Sequence, residues 1–112
     1  MRRAALAQGL FYVATGLWPV VHLRSFEAIA GRKRDKWLVR TTGALIAAVG
    51  LALLADTRER RKSRVAKTLG IASASALGAA DLYFVATGQI PRIYLADAAA
   101  EAACVGLWIA DG

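Results

Sequence analysis

The chain has 112 residues, 57% of them hydrophobic, with 15 Lys and Arg against 8 Asp and Glu for a formal charge of +7. Its mean hydropathy of +0.42 and the gathering of charge into short stretches between long apolar blocks read as membrane spans and aqueous loops. A single cysteine, Cys104, rules out an intramolecular disulfide, so a packed thiol is the default.

The first apolar block runs from Ala4 to Val21 behind Arg2 and Arg3. A secretory signal would look similar at its start and would leave three spans. The run continues through Leu17, Trp18, Pro19 and Val20 without an A-x-A-like cleavage pattern, which favours a retained helix. Between His22 and Trp37, the residues Leu23, Phe26, Ile29 and Ala30 form an apolar stripe at helical spacing. That pattern suits a short interfacial helix, or a continuation of the first span up to Gly31, with Trp18 and Trp37 as headgroup-level anchors.

The second block is Leu38 to Ala55, the third Val65 to Gly88 and the fourth Ile90 to Ala110, the last two separated only by a Gly88, Gln89, Ile90, Pro91 turn. At about 1.5 Å per residue, 18 to 20 residues cross a hydrocarbon layer of about 30 Å, so each block is long enough to span. The expectation is an all-α, compact four-transmembrane-helix bundle, a single domain over residues 1–112.

Basic residues nearly balance across the membrane. Arg2, Arg3 and six residues between Arg58 and Lys67 fall on one side, against six between Arg24 and Arg40 plus Arg92 on the other. The dense run Arg58, Arg60, Arg61, Lys62, Arg64 argues for a cytoplasmic middle loop and therefore cytoplasmic termini. A nucleic-acid role for these patches has no accompanying motif, and contact with anionic lipid headgroups extends the topological reading more naturally.

Small residues recur at four-residue spacing along Ala66, Gly70, Ala74, Gly78 and along Ala98, Ala102, Gly106, Ala110. Such lines let membrane helices approach closely, so both are expected at helix contacts. A seven-residue pattern, VATGxxP, occurs at Val13–Pro19 and again at Val85–Pro91. Equivalent helix exits in two related hairpins would explain it, and so would chance in a chain this rich in Ala, Val and Gly.

Depth singles out Asp81, Asp97 and Glu101, carboxyl groups within apolar blocks. At membrane depth such groups are costly and face a bundle interior, a wet cavity or a cation. If the last hairpin turns near Gln89, Asp81 and Asp97 each lie eight residues from it, at matching heights roughly 12 Å from the turn. Glu101 follows one helical turn beyond Asp97. Arg40 is the expected counterion, with Arg24 behind it, and Tyr12, Thr15, Thr41, Thr42, Tyr83 and Tyr94 offer hydrogen bonds. The cluster reads either as a structural network or as an accessible pocket that binds a cationic group or exchanges protons. His22 is a further proton-linked candidate, although an interfacial hydrogen bond explains a lone histidine better than metal binding does. No phosphate-binding glycine loop, metal-ligand pattern or nucleophile elbow occurs, so nothing assigns catalysis, a cofactor or a metal.

The run Gly16, Leu17, Trp18, Pro19, His22, Ser25, Phe26, Glu27, then Asp35, Lys36, Trp37, Leu38, Val39, Arg40, Thr41, Gly43, and later Tyr94, Leu95, Asp97, Glu101, resembles small uncharacterised bacterial four-span membrane proteins. That resemblance covers most of the chain and implies a bacterial inner-membrane bundle with polar residues near its first and last hairpins. It attaches no activity. Those sequences typically have Gly-Pro-Lys where this chain has Gly31, Arg32, Lys33. The combined expectation is a binding or transport-related module, as a homo-oligomer if it transports, with an accessory subunit of a larger membrane complex as the alternative.

Overall fold

The computed structural model describes residues 3–31, 35–58 and 64–111. The expected basic residues Arg2, Arg32, Lys33, Arg34, Arg60, Arg61 and Lys62 lie outside them. Five helices follow one another: α1 (Arg3–Val21), α2 (Leu23–Ala30), α3 (Lys36–Asp56), α4 (Arg64–Ala86) and α5 (Tyr94–Asp111). Helices α1, α3 and α4 are long and apolar enough to cross a membrane. Helix α5 has 18 residues and carries Asp97, Glu101 and Asp111 along its length.

The bundle is an all-α pair of antiparallel hairpins. In the first, α1 packs on α3 through glycines seven residues apart. A Cβ on Gly16 would lie 2.5 Å from the Gly43 carbonyl oxygen, and one on Gly50 would lie 2.8 Å from that of Gly9. Side chains at those positions would hold the backbones apart, and glycine lets them meet in van der Waals contact. In the second hairpin, α4 turns Ala66, Gly70 and Ala74 inward, all buried, with Asp81 on the same face. Gly78 of that line approaches Glu101.

The corresponding small line on α5 points the other way. Ala102, Gly106 and Ala110 are exposed, and a Cβ on Gly106 would meet nothing within 4 Å. The inward face of α5 is instead Glu101, Cys104 and Trp108, which are buried. Large groups here fill the space that small groups on α4 leave, so only one of the two lines is needed at the α4–α5 contact.

The last turn is longer than Gly88–Pro91. Helix α4 stops at Ala86, and the N–H groups of Gln89 and Ile90 both bond back to the Phe84 carbonyl, at 2.9 and 3.3 Å. Gly88 takes φ +77, a left-handed conformation that glycine adopts without strain. Helix α5 then begins at Tyr94, whose N–H bonds to the Pro91 carbonyl at 3.1 Å. Asp97 therefore sits in the first turn of α5, nearer the helix end than the assumed turn implied.

The VATGxxP copies differ in structure. Val13–Pro19 lies wholly inside α1, whereas Val85–Pro91 leaves α4 after Ala86. In the first copy Gly16 is pressed on the α3 backbone, and this packing holds the helix through Pro19. The second copy has no such neighbour and turns.

At the end of the bundle where α1 begins, α5 closes the ring. The Asp111 carboxylate accepts the Ala4 N–H at 2.8 Å and lies 3.6 Å from the Arg3 guanidinium. The N–H belongs to the first turn of α1, where no helical acceptor exists. Arg3 is largely exposed, so the ion pair adds little. Asp111→Ala should lower stability by about 1 kcal/mol through loss of the cap, while Asp111→Asn, which keeps an acceptor, should stay within about 0.5 kcal/mol. Thermal unfolding in detergent micelles reads both.

Large apolar side chains cover the outside: Leu45, Leu51, Val65 and Ile109 are each at least 60% exposed. Water penalises such a surface and lipid does not. The longest dimension, 43 Å, is comparable with a bilayer of about 40–45 Å including headgroups.

Candidate functional site: an acidic cavity between the hairpins

One face of α1 supplies the polar contacts that join the hairpins. Gln8 and Tyr12, one turn apart, are both fully buried. The Gln8 amide donates to the Gly70 carbonyl of α4 at 2.9 Å and accepts the Trp108 indole N–H of α5 at 2.6 Å. The Tyr12 hydroxyl donates to Glu101 of α5 at 2.6 Å. All three bonds are buried, where a group left without a partner is costly.

Beyond Tyr12 the hairpins part. Helices α3 and α4 barely touch, and between them lies a cavity of about 520 Å3. Tyr12, Thr15 and Pro19 of α1 line it, with Thr42 of α3, Asp81 of α4, and Tyr94, Asp97 and Glu101 of α5. The remaining wall is apolar, including Phe26, Leu38, Ile46, Leu77 and Phe84. Pro19 has no N–H, so the Thr15 carbonyl lacks its α-helical donor at the cavity wall. The Thr15 hydroxyl turns back to the Phe11 carbonyl at 2.7 Å.

Asp97 brings the acids together. Its carboxyl lines the same cavity as those of Asp81 and Glu101. Asp81 is 93% buried, being only 7% exposed, and its Oδ2 finds no hydrogen-bond partner among the described residues. Its neighbour Asp97 is another acceptor, and the Tyr12 proton is committed to Glu101. Within the cluster the Tyr12 hydroxyl donates to Glu101, and the Asp81 Oδ2 is left without a partner.

Arg40 does not fill that role. It is exposed on α3 and lines a different cavity, of about 570 Å3, with Arg24, Glu27 and Lys36. Glu27 in turn lies 3.7 Å from Lys36. The expected counterion is absent because Arg40 shares a helix with cavity residue Thr42 but not its face: two positions correspond to about 200° around a helix. Thr41 and Tyr83 are exposed and do not line the acidic cavity, whereas Tyr12, Thr15, Thr42 and Tyr94 do.

His22 also stands apart from the acids, at the start of α2. Its Nδ1 accepts the Ser25 N–H at 3.2 Å, capping the helix. The Ser25 hydroxyl lies 2.7 Å from the same nitrogen and accepts the Trp18 indole N–H at 2.8 Å. Trp18 then meets Phe26 edge-on at 5.4 Å, so this group fixes the corner between α1 and α2. The opposite end of α2 reaches the last turn, where a Cβ on Gly31 would lie 2.8 Å from the Pro91 ring.

Two residues at the hairpin junction carry no special mark in the sequence reading: Gln8 and Trp108. Gln8 was findable, as an amide inside an apolar block and one turn from Tyr12. Among the described residues, no group of three His, Cys, Asp or Glu side chains has the arrangement to hold a metal ion. No protein-family model matches the chain, and neither do curated proteins or solved structures.

Proposed function

We propose that the chain is a four-span integral membrane protein whose acidic cavity binds a small ligand, acting as a binding or transport-related module. Helices α1, α3, α4 and α5 are the spans, and α2 lies at the headgroup level. The observation that carries this reading is the buried, donorless Asp81 oxygen at the wall of a cavity large enough for a ligand. A purely structural network would have satisfied it, because a buried polar group without a partner is costly.

The topology follows from charge. Arg58, Arg64 and Lys67 flank the α3–α4 connection, so that end and both termini face the cytoplasm under the positive-inside rule. The resemblance to bacterial four-span sequences supports the inner membrane as the location. At the other end, Arg24, Lys36 and Arg40 suit contact with anionic headgroups.

Filling the cavity tests the binding role. Leu77→Trp should abolish ligand-induced thermal stabilisation while leaving the unliganded melting temperature within a few degrees. The assay uses protein in phosphatidylcholine nanodiscs and a mixed set of small anions, cations and neutral aromatics. If no compound stabilises the parent protein more than Leu77→Trp, the binding role is wrong.

One observation favours a second reading, an accessory subunit. The outward line Ala102, Gly106, Ala110 on α5 is the type of surface on which another membrane helix packs. Obligate co-purification with a second membrane protein would support it.

A further inference from the structure

We propose that the ligand of the acidic cavity is a hydrophobic organic cation: an ammonium group bonded to Asp81 and Asp97, with an apolar or aromatic body against the walls. This assignment rests on the cavity being a ligand site and adds the chemical class.

Charge comes first. Among the described residues, no Lys, Arg or His lines the cavity, although three acidic side chains do. An anion would meet repulsion there, and a neutral apolar molecule would leave the Asp81 Oδ2 without a donor. An ammonium supplies both the positive charge and the N–H groups that the site lacks, and charge-assisted hydrogen bonds are the stronger kind.

An inorganic ion fits less well. Hard divalent cations take six or more oxygens, from protein or retained water, and the acids here do not form a metal-holding group. Most of the wall is hydrocarbon, which cannot replace a hydration shell. It can cover an organic body, and Phe26, Phe84 and Tyr94 place aromatic rings around the same space.

Access agrees with the chemistry. The cavity lies between α3 and α4, the helices that scarcely meet, and Leu38 and Phe84 at its edges are exposed. In a bilayer this opening faces lipid. Amphiphilic cations concentrate near the membrane interface, with the charge among headgroups and the body among acyl chains, and so approach in the orientation the cavity requires.

The test uses full-length protein in phosphatidylcholine nanodiscs, with 1-naphthylmethylammonium as the probe and 1-naphthalenemethanol as its uncharged counterpart. Isothermal titration, corrected with empty nanodiscs, should show saturable binding of the cation and at least tenfold weaker binding of the alcohol. Asp81→Asn with Asp97→Asn should remove that preference. Because the double variant relieves crowded acids, its melting temperature should match or exceed the parent's, which separates lost recognition from lost folding. Equal binding of cation and alcohol, or an unchanged preference in the double variant, would overturn the cation assignment and leave the cavity a ligand site. Absence of binding by either probe, with the mixed set also silent, would overturn both.

Discussion

Gly16→Val should leave little folded protein, because the new side chain would meet backbone and not a movable side chain. Its Cβ alone would stand 2.5 Å from the Gly43 carbonyl oxygen and 2.6 Å from the Ala47 nitrogen. Rotamer changes relieve neither contact, so α1 and α3 must separate. Overpacking of cores costs about 1–3 kcal/mol where neighbours can adjust. Here they cannot, and the loss should reach at least about 3 kcal/mol. Circular dichroism during thermal unfolding in micelles, with the monodisperse yield from size exclusion, measures it. Gly106→Ala is the control: the site is open, and alanine gains up to about 1 kcal/mol of helix propensity. If Gly16→Val melts like Gly106→Ala, the α1–α3 backbone contact is wrong.

Gln8→Leu should be the most damaging polar substitution in the bundle. Leucine ends one atom short of the amide and cannot hydrogen-bond, so the main effect is loss of the hydrogen bonds. Loss of the amide strands the Trp108 indole N–H and removes a second hydrogen bond from the Gly70 carbonyl, which keeps its helical donor within α4. A buried group left unpaired costs about 1–3 kcal/mol. The stranded indole and the lost Gly70 bond together should lower stability by about 2 kcal/mol. Trp108→Phe keeps the Gly70 bond and leaves only the Gln8 oxygen unpaired, so it should cost less, about 1 kcal/mol. A double-mutant cycle between the two positions, followed by thermal unfolding, should give a coupling of about 1 kcal/mol; additivity would show that the bond contributes nothing.

Hydropathy alone was enough to foresee α1, α3 and α4, the three helices long and apolar enough to cross a membrane, because apolar blocks such as Leu45–Leu51 need no partner to be recognised. The short helix α2 was legible from the spacing of Leu23, Phe26, Ile29 and Ala30. Faces were harder. The small lines on α4 and α5 look alike as letters, yet only the first packs inward, since the choice depends on whether Trp108 or Ala110 meets the partner. The glycines at positions 9, 16, 43 and 50 were equally visible in sequence, but a seven-residue period gains meaning only when a second helix shows the matching one. The convergence of Asp81, Asp97 and Glu101 followed from counting residues around a turn. The separation of Arg40 did not, because helix rotation is set by packing that no local pattern records.

The two hairpins are held internally by shape and meet one another through a small apolar core of Ala4, Ala5, Leu53, Ala66 and Trp108 and through hydrogen bonds at Ala4, Gln8 and Tyr12. Close backbone packing discriminates poorly between neighbouring registers of small residues, whereas a hydrogen bond has one donor and one acceptor at fixed heights. The relative height of the two hairpins is therefore fixed by the polar pairs and not by the small residues, which would tolerate more than one register. The seam works as a vernier, with α1 as its scale, and the acidic cavity is completed only when the alignment is correct.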